Sequence, residues 1–306
     1  MTFAAIRGQD AAIRSLRSAI LSNRVGSAYL FAGPAGVGKR TAARAFAAAL
    51  LCESPEDGDA CGRCRACGKV LRGSQPDLLV IDVLEDKKEI SVDQVRTEIV
   101  AHMKYSPYEA ARRVVLIPTA DDLSLSAANS LLKSMEEPGA NTHFVLASSQ
   151  AHRLLPTIRS RCQEVRFAPL ADDLVVEILV ERGTADPDAR RAAVFAGGSV
   201  GRAIGRLGGD LTGSIAAAEK LEAASKKGLR EIIEAGASVA KERKNSLAEV
   251  LEAWMLVRRD RLRGGPSERE VRAMDAIHAA ILALERNANP ELTLDRALLD
   301  VADAAG

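Results

Sequence analysis

Aromatic residues are scarce in this chain of 306 residues: they make up 3% of it, with one tryptophan, three tyrosines and six phenylalanines. A core with so few rings has to be built from alanine, leucine, valine and isoleucine, and alanine-rich stretches such as Thr41 to Leu51 favour helix over strand. Excess charge of one sign is also missing. The 42 basic and 41 acidic residues leave a formal net charge of +1, so no global field draws the chain to nucleic acid or to a membrane. Any such contact has to come from a local patch or from an assembly. No apolar run approaches the roughly 18 residues of a spanning helix, and the opening residues carry no signal-peptide pattern. The sequence therefore reads as cytoplasmic, with no membrane partner. Repeats and low-complexity tails are absent as well.

What is present suits two or three domains, with 47% hydrophobic and 27% charged residues. Short apolar runs alternate with helical stretches over the first half. Strands are expected at 28–32, 78–82, 114–117, 143–147 and 164–167. Helices are expected from Asp10 (as N-cap) to Leu21, from the turn after Gly33 to about Leu51, from Ser91 to Met103, and from Ala127 to Glu136. Ser91 and Gln94 form a capping box. This alternation implies a parallel sheet covered on both faces. After Pro169 the strand signal stops. Residues 170–207 read as three short helices broken near Gly183 and at Gly197-Gly198, and 207–214 as a glycine-containing linker. From Ile215 onward the pattern is helical, with breaks near Asn245, Gly264-Gly265 and Asn289-Pro290. Arg258, Arg259, Arg261 and Arg263 form a basic run that fits a solvated helix C-terminus.

The segment Gly33-Pro34-Ala35-Gly36-Val37-Gly38-Lys39 fits the first seven positions of a phosphate loop, between a strand and a helix as that motif requires. Gly33, Gly36 and Gly38 let backbone N–H groups turn toward phosphate oxygens, and Lys39 supplies a cation. A working loop then needs Ser or Thr to hold magnesium. Here Arg40 follows, and Thr41 comes one residue late, about 100° further round the helix. The strand at 114–117 should end in an acidic pair but runs into Pro118-Thr119. Asp121 and Asp122 lie beyond, where they are expected to cap or precede the next helix. Two losses in one chemistry argue against hydrolysis, while Lys39 and the loop amides stay compatible with weak nucleotide binding.

Four of the five cysteines, Cys52, Cys61, Cys64 and Cys67, crowd into one segment. Two successive C-x2-C steps bring three sulfurs together, and Cys52 can supply a fourth. Four thiolates suit a closed, structural zinc site. An iron–sulfur cluster or free thiols stay open, although Gly68 stands where a cluster motif expects proline. The loop Glu53–Ala60 is acidic and apolar-poor, so a metal is expected to hold it. Arg63, Arg65, Lys69 and Arg72 surround the module, either as solubilising charges or as a contact surface. Cys162 reads as a small buried residue.

Taken together, these residues resemble the AAA+ clamp-loader family, which includes the gamma/tau ATPase, the delta-prime subunit of bacterial DNA polymerase III and the small replication factor C subunits. The resemblance is carried by the phosphate loop, the four cysteines, Asn129-Ser130-Leu131-Leu132-Lys133-Ser134-Met135-Glu136-Glu137-Pro138, and Ser160-Arg161-Cys162. It implies a RecA-like nucleotide-binding-like domain over 1–168 with a zinc module at 52–67. A helical lid over 169–208 and a helical collar over 209–306 follow. It further implies that Arg161 acts as an arginine finger in a neighbour's ATP site, with Arg159 the nearby residue most easily confused with it. The missing hydroxyl and acidic pair place the chain with the non-hydrolysing delta-prime type. Ser148 and Ser149 stand where active members sense phosphate, and Gly201 stands at a second sensing position. Implied partners are gamma/tau and delta subunits, with primed DNA and the sliding clamp reached through the complex. A catalytically active ATPase of gamma/tau type using Thr41 with Asp121 or Asp122, and a zinc-dependent nucleic-acid binder, are the competing readings.

Overall fold

The structure, a computed structural model, describes the whole chain except residues 140, 208–209, 244–245, 263–266, 286–287 and 306; the side chains of 211, 260–262, 285 and 305 are also outside the description. It divides into two compact units, residues 1–178 with 197–202, and residues 179–196 with 203–306.

The first unit is built on five parallel strands: β1 Ala28–Ala32, β2 Leu78–Val80, β3 Arg113–Ile117, β4 Thr142–Ser148 and β5 Gln163–Arg166, in the order β2-β3-β4-β1-β5. Side chains alternate across a strand, so β1 splits its apolar run between two cores. Tyr29 and Phe31 face one side with Phe46, Leu16, Val114 and Leu116. Leu30 faces the other with Ile81, Ile99, Val115, Leu131 and Phe144. Burial on both faces explains why β1, β3 and β4 read as near-continuous apolar runs. The few rings gather on the first side: Tyr29 meets Phe46 at 4.9 Å, and Phe31 meets Phe167 at 5.2 Å between ring centroids.

Helices α1 Asp10–Leu21 and α2 Lys39–Leu51 border the first core, and α3 Arg65–Arg72 follows within the cysteine segment. The expected helix from Ser91 is present but interrupted: α4 Val92–Val95 passes through a π-helical turn, Arg96–Val100, into α5 Ala101–Met103. Ser91 Oγ accepts from Gln94 N at 3.2 Å, as a capping residue does. The next helix, α6 Leu125–Glu136, starts earlier than expected because Ser124 caps it, its Oγ accepting from Ala127 N. Asp121 is therefore not a cap. Asp10 likewise lies inside α1, and Gln9 stands at the cap position. The Gln9 side chain instead bonds Val37 O and both backbone groups of Ala168, tying the phosphate loop to the end of β5. Short helix α7 Pro156–Arg159 leads into β5.

Beyond β5 lie α8 Asp172–Glu181, α9 Asp186–Val194 and α10 Val200–Leu207, the three short helices expected there. The expected linker to Ser214 is shorter, since Asp210 caps α11 Leu211–Ala224 by accepting from Gly213 N. Helices α12 Leu229–Glu242, α13 Leu247–Leu262, α14 Glu268–Glu285 and α15 Pro290–Ala305 complete the second unit around fully buried Trp254. The breaks expected near Asn245 and Gly264-Gly265 lie outside the described residues. The solvated reading of the basic run fails at Arg258, which is 3% exposed. It pairs with Glu222 at 2.8 Å and Glu270 at 3.2 Å, and Glu222 also accepts from Trp254 Nε1 at 2.8 Å. A buried cation requires such partners. Arg263 and the Arg261 side chain lie outside the described residues.

Candidate functional site

The phosphate loop leaves the C-terminal end of β1 through Gly33, Gly36 and Gly38, all of positive φ, and enters α2 at Lys39. Orphan N–H groups at a helix start form an anion site. Lys39 is buried, and its Nζ donates to Gly33 O and Pro34 O, each at 2.6 Å. Burial lowers its pKa from the usual lysine value, with the charge of Asp121 opposing that shift.

Arg40 and Thr119 stand where a magnesium ligand and an acidic residue are required, and the fold joins them. Arg40 pairs with Asp82, just beyond β2, and the other oxygen of Asp82 accepts from Thr119 Oγ1 at 2.7 Å. Thr41 is exposed on the following step of α2. Asp121 lies instead at the end of β4, where it accepts from Ser148 Oγ, from Ser149 N at 2.6 Å and Ser149 Oγ at 2.7 Å, and from Gln150 N at 3.3 Å. Burial works against its charge, but these donors outweigh it and hold the carboxyl below the usual aspartate value.

Gly201 packs directly on the loop. Its N–H donates to Gly36 O at 3.1 Å, and a Cβ at Gly201 would meet Gly36 Cα at 2.8 Å. Ser199 lies beside it, so a Cβ at Gly36 would meet Ser199 Oγ at 2.3 Å. Any side chain at position 201, an arginine included, would have to force these two backbones apart.

Arg161 follows α7, half-exposed, and its guanidinium pairs with Glu136 Oε1 at 2.7 Å while donating to Thr157 O at 3.1 Å. The contact joins the Ser160-Arg161-Cys162 triplet to the Asn129–Pro138 motif, two segments the sequence showed only as separate signatures. Arg159 has no ion-pair partner among the described residues. Cys162 is partly buried, and desolvation pushes its thiol up to about 12.

Cys52, Cys61, Cys64 and Cys67 converge, with their sulfurs all within 4.8 Å of one another. Cys52 Sγ lies 3.5 Å from that of Cys61 and 3.9 Å from that of Cys64. Metal–sulfur bonds of about 2.3 Å in a tetrahedron place the sulfurs about 3.8 Å apart, so the set fits a four-thiolate metal site. Cys52 ends α2, and Cys64 caps α3 by accepting from Cys67 N at 3.4 Å. The N–H groups of Arg63 and Cys64 bring the Cys61 thiol down to about 6, whereas desolvation raises Cys52 and Cys67. A metal is not the only support of the preceding loop. Asp59, 8% exposed, accepts from Phe3 N at 2.9 Å, Ala60 N at 2.7 Å and Arg17 at 3.1 Å. This corrects the expectation that Glu53–Ala60 has little besides a metal to hold it; one of two aspartates in an acidic loop gives no sign of its burial.

A parallel sheet with a phosphate loop after its first strand, the third strand ending beside that loop and a cysteine module after the loop's helix defines a P-loop protein of AAA+ type. The family model for DNA polymerase III, delta subunit, matches residues 8–171, more than half of the chain. The chain belongs to that family. It is 47% identical over 135 residues to a DNA polymerase III delta-prime subunit of Pseudomonas aeruginosa, covering 44% of this chain and 41% of that one. It is also 35% identical over 174 residues to a DNA polymerase III tau subunit of Bacillus subtilis, covering 57% of this chain and 30% of that one. The chain thus spans less than half the length of these relatives. In fold it is similar to a DNA polymerase III gamma subunit-related protein of Thermotoga maritima, with a TM-score of 0.50 at 19% identity, covering 96% of this chain and all of that one.

Proposed function

We propose that this chain is the delta-prime subunit of a replicative DNA polymerase III clamp loader, working in the cytoplasm with gamma/tau and delta subunits. In this reading it hydrolyses no ATP and lends Arg161 to a neighbouring gamma/tau site while the sliding clamp is loaded on primed DNA. The observation that carries the proposal is the Arg40–Asp82–Thr119 linkage. The corner where magnesium and a water-polarising acid belong is occupied by an internal ion pair. The Lys39 contacts and the Gly201 packing support a loop that takes nucleotide weakly or not at all. Residues 1–168 serve as the nucleotide-binding-like domain, 169–208 as a lid and 209–306 as a collar. Zinc on Cys52, Cys61, Cys64 and Cys67 supplies a structural cross-link between α2 and α3.

Arg161 suits the trans role because it is tethered but not sequestered. Glu136 holds the fork until phosphate oxygens of a neighbour compete for it. An arginine so supplied is worth roughly 10³ to 10⁵ in rate at the one site it serves. The test is ATP hydrolysis by the chain alone and by the assembled loader. The chain alone should be inactive. Arg161→Ala should assemble normally yet lower loader ATPase in part and clamp loading further. Arg161→Lys should not rescue, since an ammonium lacks the planar fork, and Arg159→Ala should do less. Hydrolysis by the isolated chain that Lys39→Ala abolishes would replace this proposal with an active ATPase of gamma/tau type.

A further inference from the structure

The end of the sheet opposite the phosphate loop carries a segment, 104–112, between α5 and β3, that two buried charges hold in place. Asp77, fully buried, accepts from Tyr108 N at 2.5 Å and from Glu109 N and Ala110 N at 2.8 Å each. Arg113, 3% exposed, donates to the carbonyls of His102, Tyr105 and Ser106 at 2.7, 2.8 and 2.9 Å. Charge-assisted bonds of this kind are the stronger ones. Yet the two rings on this segment face water, with Tyr105 73% and Tyr108 84% exposed. Two of the three tyrosines in a ring-poor chain contribute nothing to its core.

Helix α3 lies against the same segment, because Lys69 Nζ bonds both oxygens of Glu109 at 2.5 and 2.7 Å. A cleft of about 330 Å³ runs between them, lined by Arg65, Gln75 and Glu109 among others. From Cys61 to Gln75 the sequence has four cations and no acid. Arg63 is answered by Glu56 and Lys69 by Glu109. Exposed Arg65, Arg72 and Lys104 have no ion-pair partner among the described residues, and Leu71 beside them is 68% exposed. Lys104 adjoins Tyr105 in the chain, and the Lys69–Glu109 contact brings the cations of α3 to the segment that carries both rings.

We propose that this end of the first unit binds single-stranded nucleic acid directly, with bases stacked on Tyr105 and Tyr108 and phosphates met by Arg65, Arg72 and Lys104. Every base has a face to stack, so such binding tolerates sequence, and each phosphate contact releases a counterion. Nucleic acid is favoured because it alone presents at every step both a face to stack and an anion to pair, matching two exposed rings and three unpaired cations. The inference does not rest on the arginine-finger reading.

The experiment is fluorescence anisotropy of the full chain with a labelled mixed-sequence 20-nucleotide single strand, its duplex, and a poly-glutamate peptide, at low and moderate salt. The single strand should bind in about the 10–100 µM range at low salt and the duplex more weakly. Tyr105→Ala with Tyr108→Ala should weaken binding at least about tenfold, while the two Tyr→Phe changes should retain it. Removing Arg65, Arg72 and Lys104 together should cut the salt slope by about 2, at roughly 0.7 per contact. All five side chains are exposed, so these variants should melt as the parent does. No binding by the folded chain, binding indifferent to the tyrosines, or stronger binding of poly-glutamate would each overturn the proposal.

Discussion

At the two ends of the parallel sheet, charge is used in opposite ways. At the C-terminal end the charges around the phosphate loop are answered inside the chain: Lys39 by two carbonyls, Arg40 by Asp82, Asp121 by two serines and Gln150. At the N-terminal end the buried charges Asp77 and Arg113 hold a loop by its backbone and leave its two tyrosines turned outward. The first arrangement satisfies a site in which a ligand would otherwise do so. The second gives a surface its rigidity while its two rings find no use in the core. A fold can thus hold a phosphate loop through contacts of its own, while the outward roles proposed above fall elsewhere, at Arg161 and on the edge near α3.

The largest change should come from breaking the outward end. Asp77→Ala removes the acceptor of three backbone N–H groups and leaves them buried without a partner. At about 1–3 kcal/mol for each unsatisfied group, partly relieved by water, the loss should be about 3 kcal/mol or more. Thermal melting and amide exchange across 104–112 would measure it. Asp77→Asn keeps one acceptor oxygen and should fall between the parent and Asp77→Ala. An unchanged melt in Asp77→Ala would show that this loop is held by something other than its buried charge.

Metal removal should act more locally. Elemental analysis of protein purified under reducing conditions should give one zinc per chain, and iron would overturn the assignment. After chelation, exchange should rise across 61–67, where Cys61 N and Cys67 N donate to cysteine sulfurs. The amides of Phe3 and Ala60 should stay protected, because both donate to Asp59 and not to a cysteine. Uniform loss of protection through 53–67 would restore the view that the metal alone orders this loop.

The sequence disclosed the sheet closely because a strand buried on both faces is an apolar run, and these runs end at glycine, proline or polar residues. The phosphate loop and the cysteines were legible for a related reason: their chemistry needs fixed spacing. What escaped has a common character. Helix α3 is only eight residues long, and its short apolar face of Ala66, Cys67 and Val70 lies inside the cysteine segment, so in sequence it reads with the loop. Asp77 belongs to no motif, and Arg258 looked like part of a solvated run, because burial of a charge depends on partners far along the chain. The Arg40–Asp82–Thr119 linkage could not be read either, although each defect could: Arg40 in place of a hydroxyl and Pro118-Thr119 in place of acids were visible separately, and only the fold joins them. The same holds for Gly201 on Gly36. Sequence pattern locates a departure from a motif, and the contact found in its place is a tertiary fact.

The smallest effect belongs to the inward end and tests whether Asp121 is satisfied there as an anion. Its pKa is lowered in the folded chain: burial alone would raise it, but bonds from Ser148, Ser149 and Gln150 favour the carboxylate more strongly. An acid whose folded value lies below its unfolded value adds stability that is fully present above the unfolded value, near 3.9. That stability is lost as pH falls through the folded value. Asp121→Asn should therefore narrow the difference in melting temperature between pH 6 and pH 3 relative to the parent. It should also be the less stable protein at pH 6, and nearly equal to the parent at the acid end. Because the group is only partly buried, solvent screening should keep the effect to about 1 kcal/mol or less, a few degrees in a domain of this size. Ser149→Ala, which removes one donor while leaving the acid, should shift the profile the same way by a smaller amount. If Asp121→Asn instead widened the gap on acidification, the carboxyl would be held above its ordinary value. Its place would then be that of a proton carrier and not of a fixed anion beside Lys39.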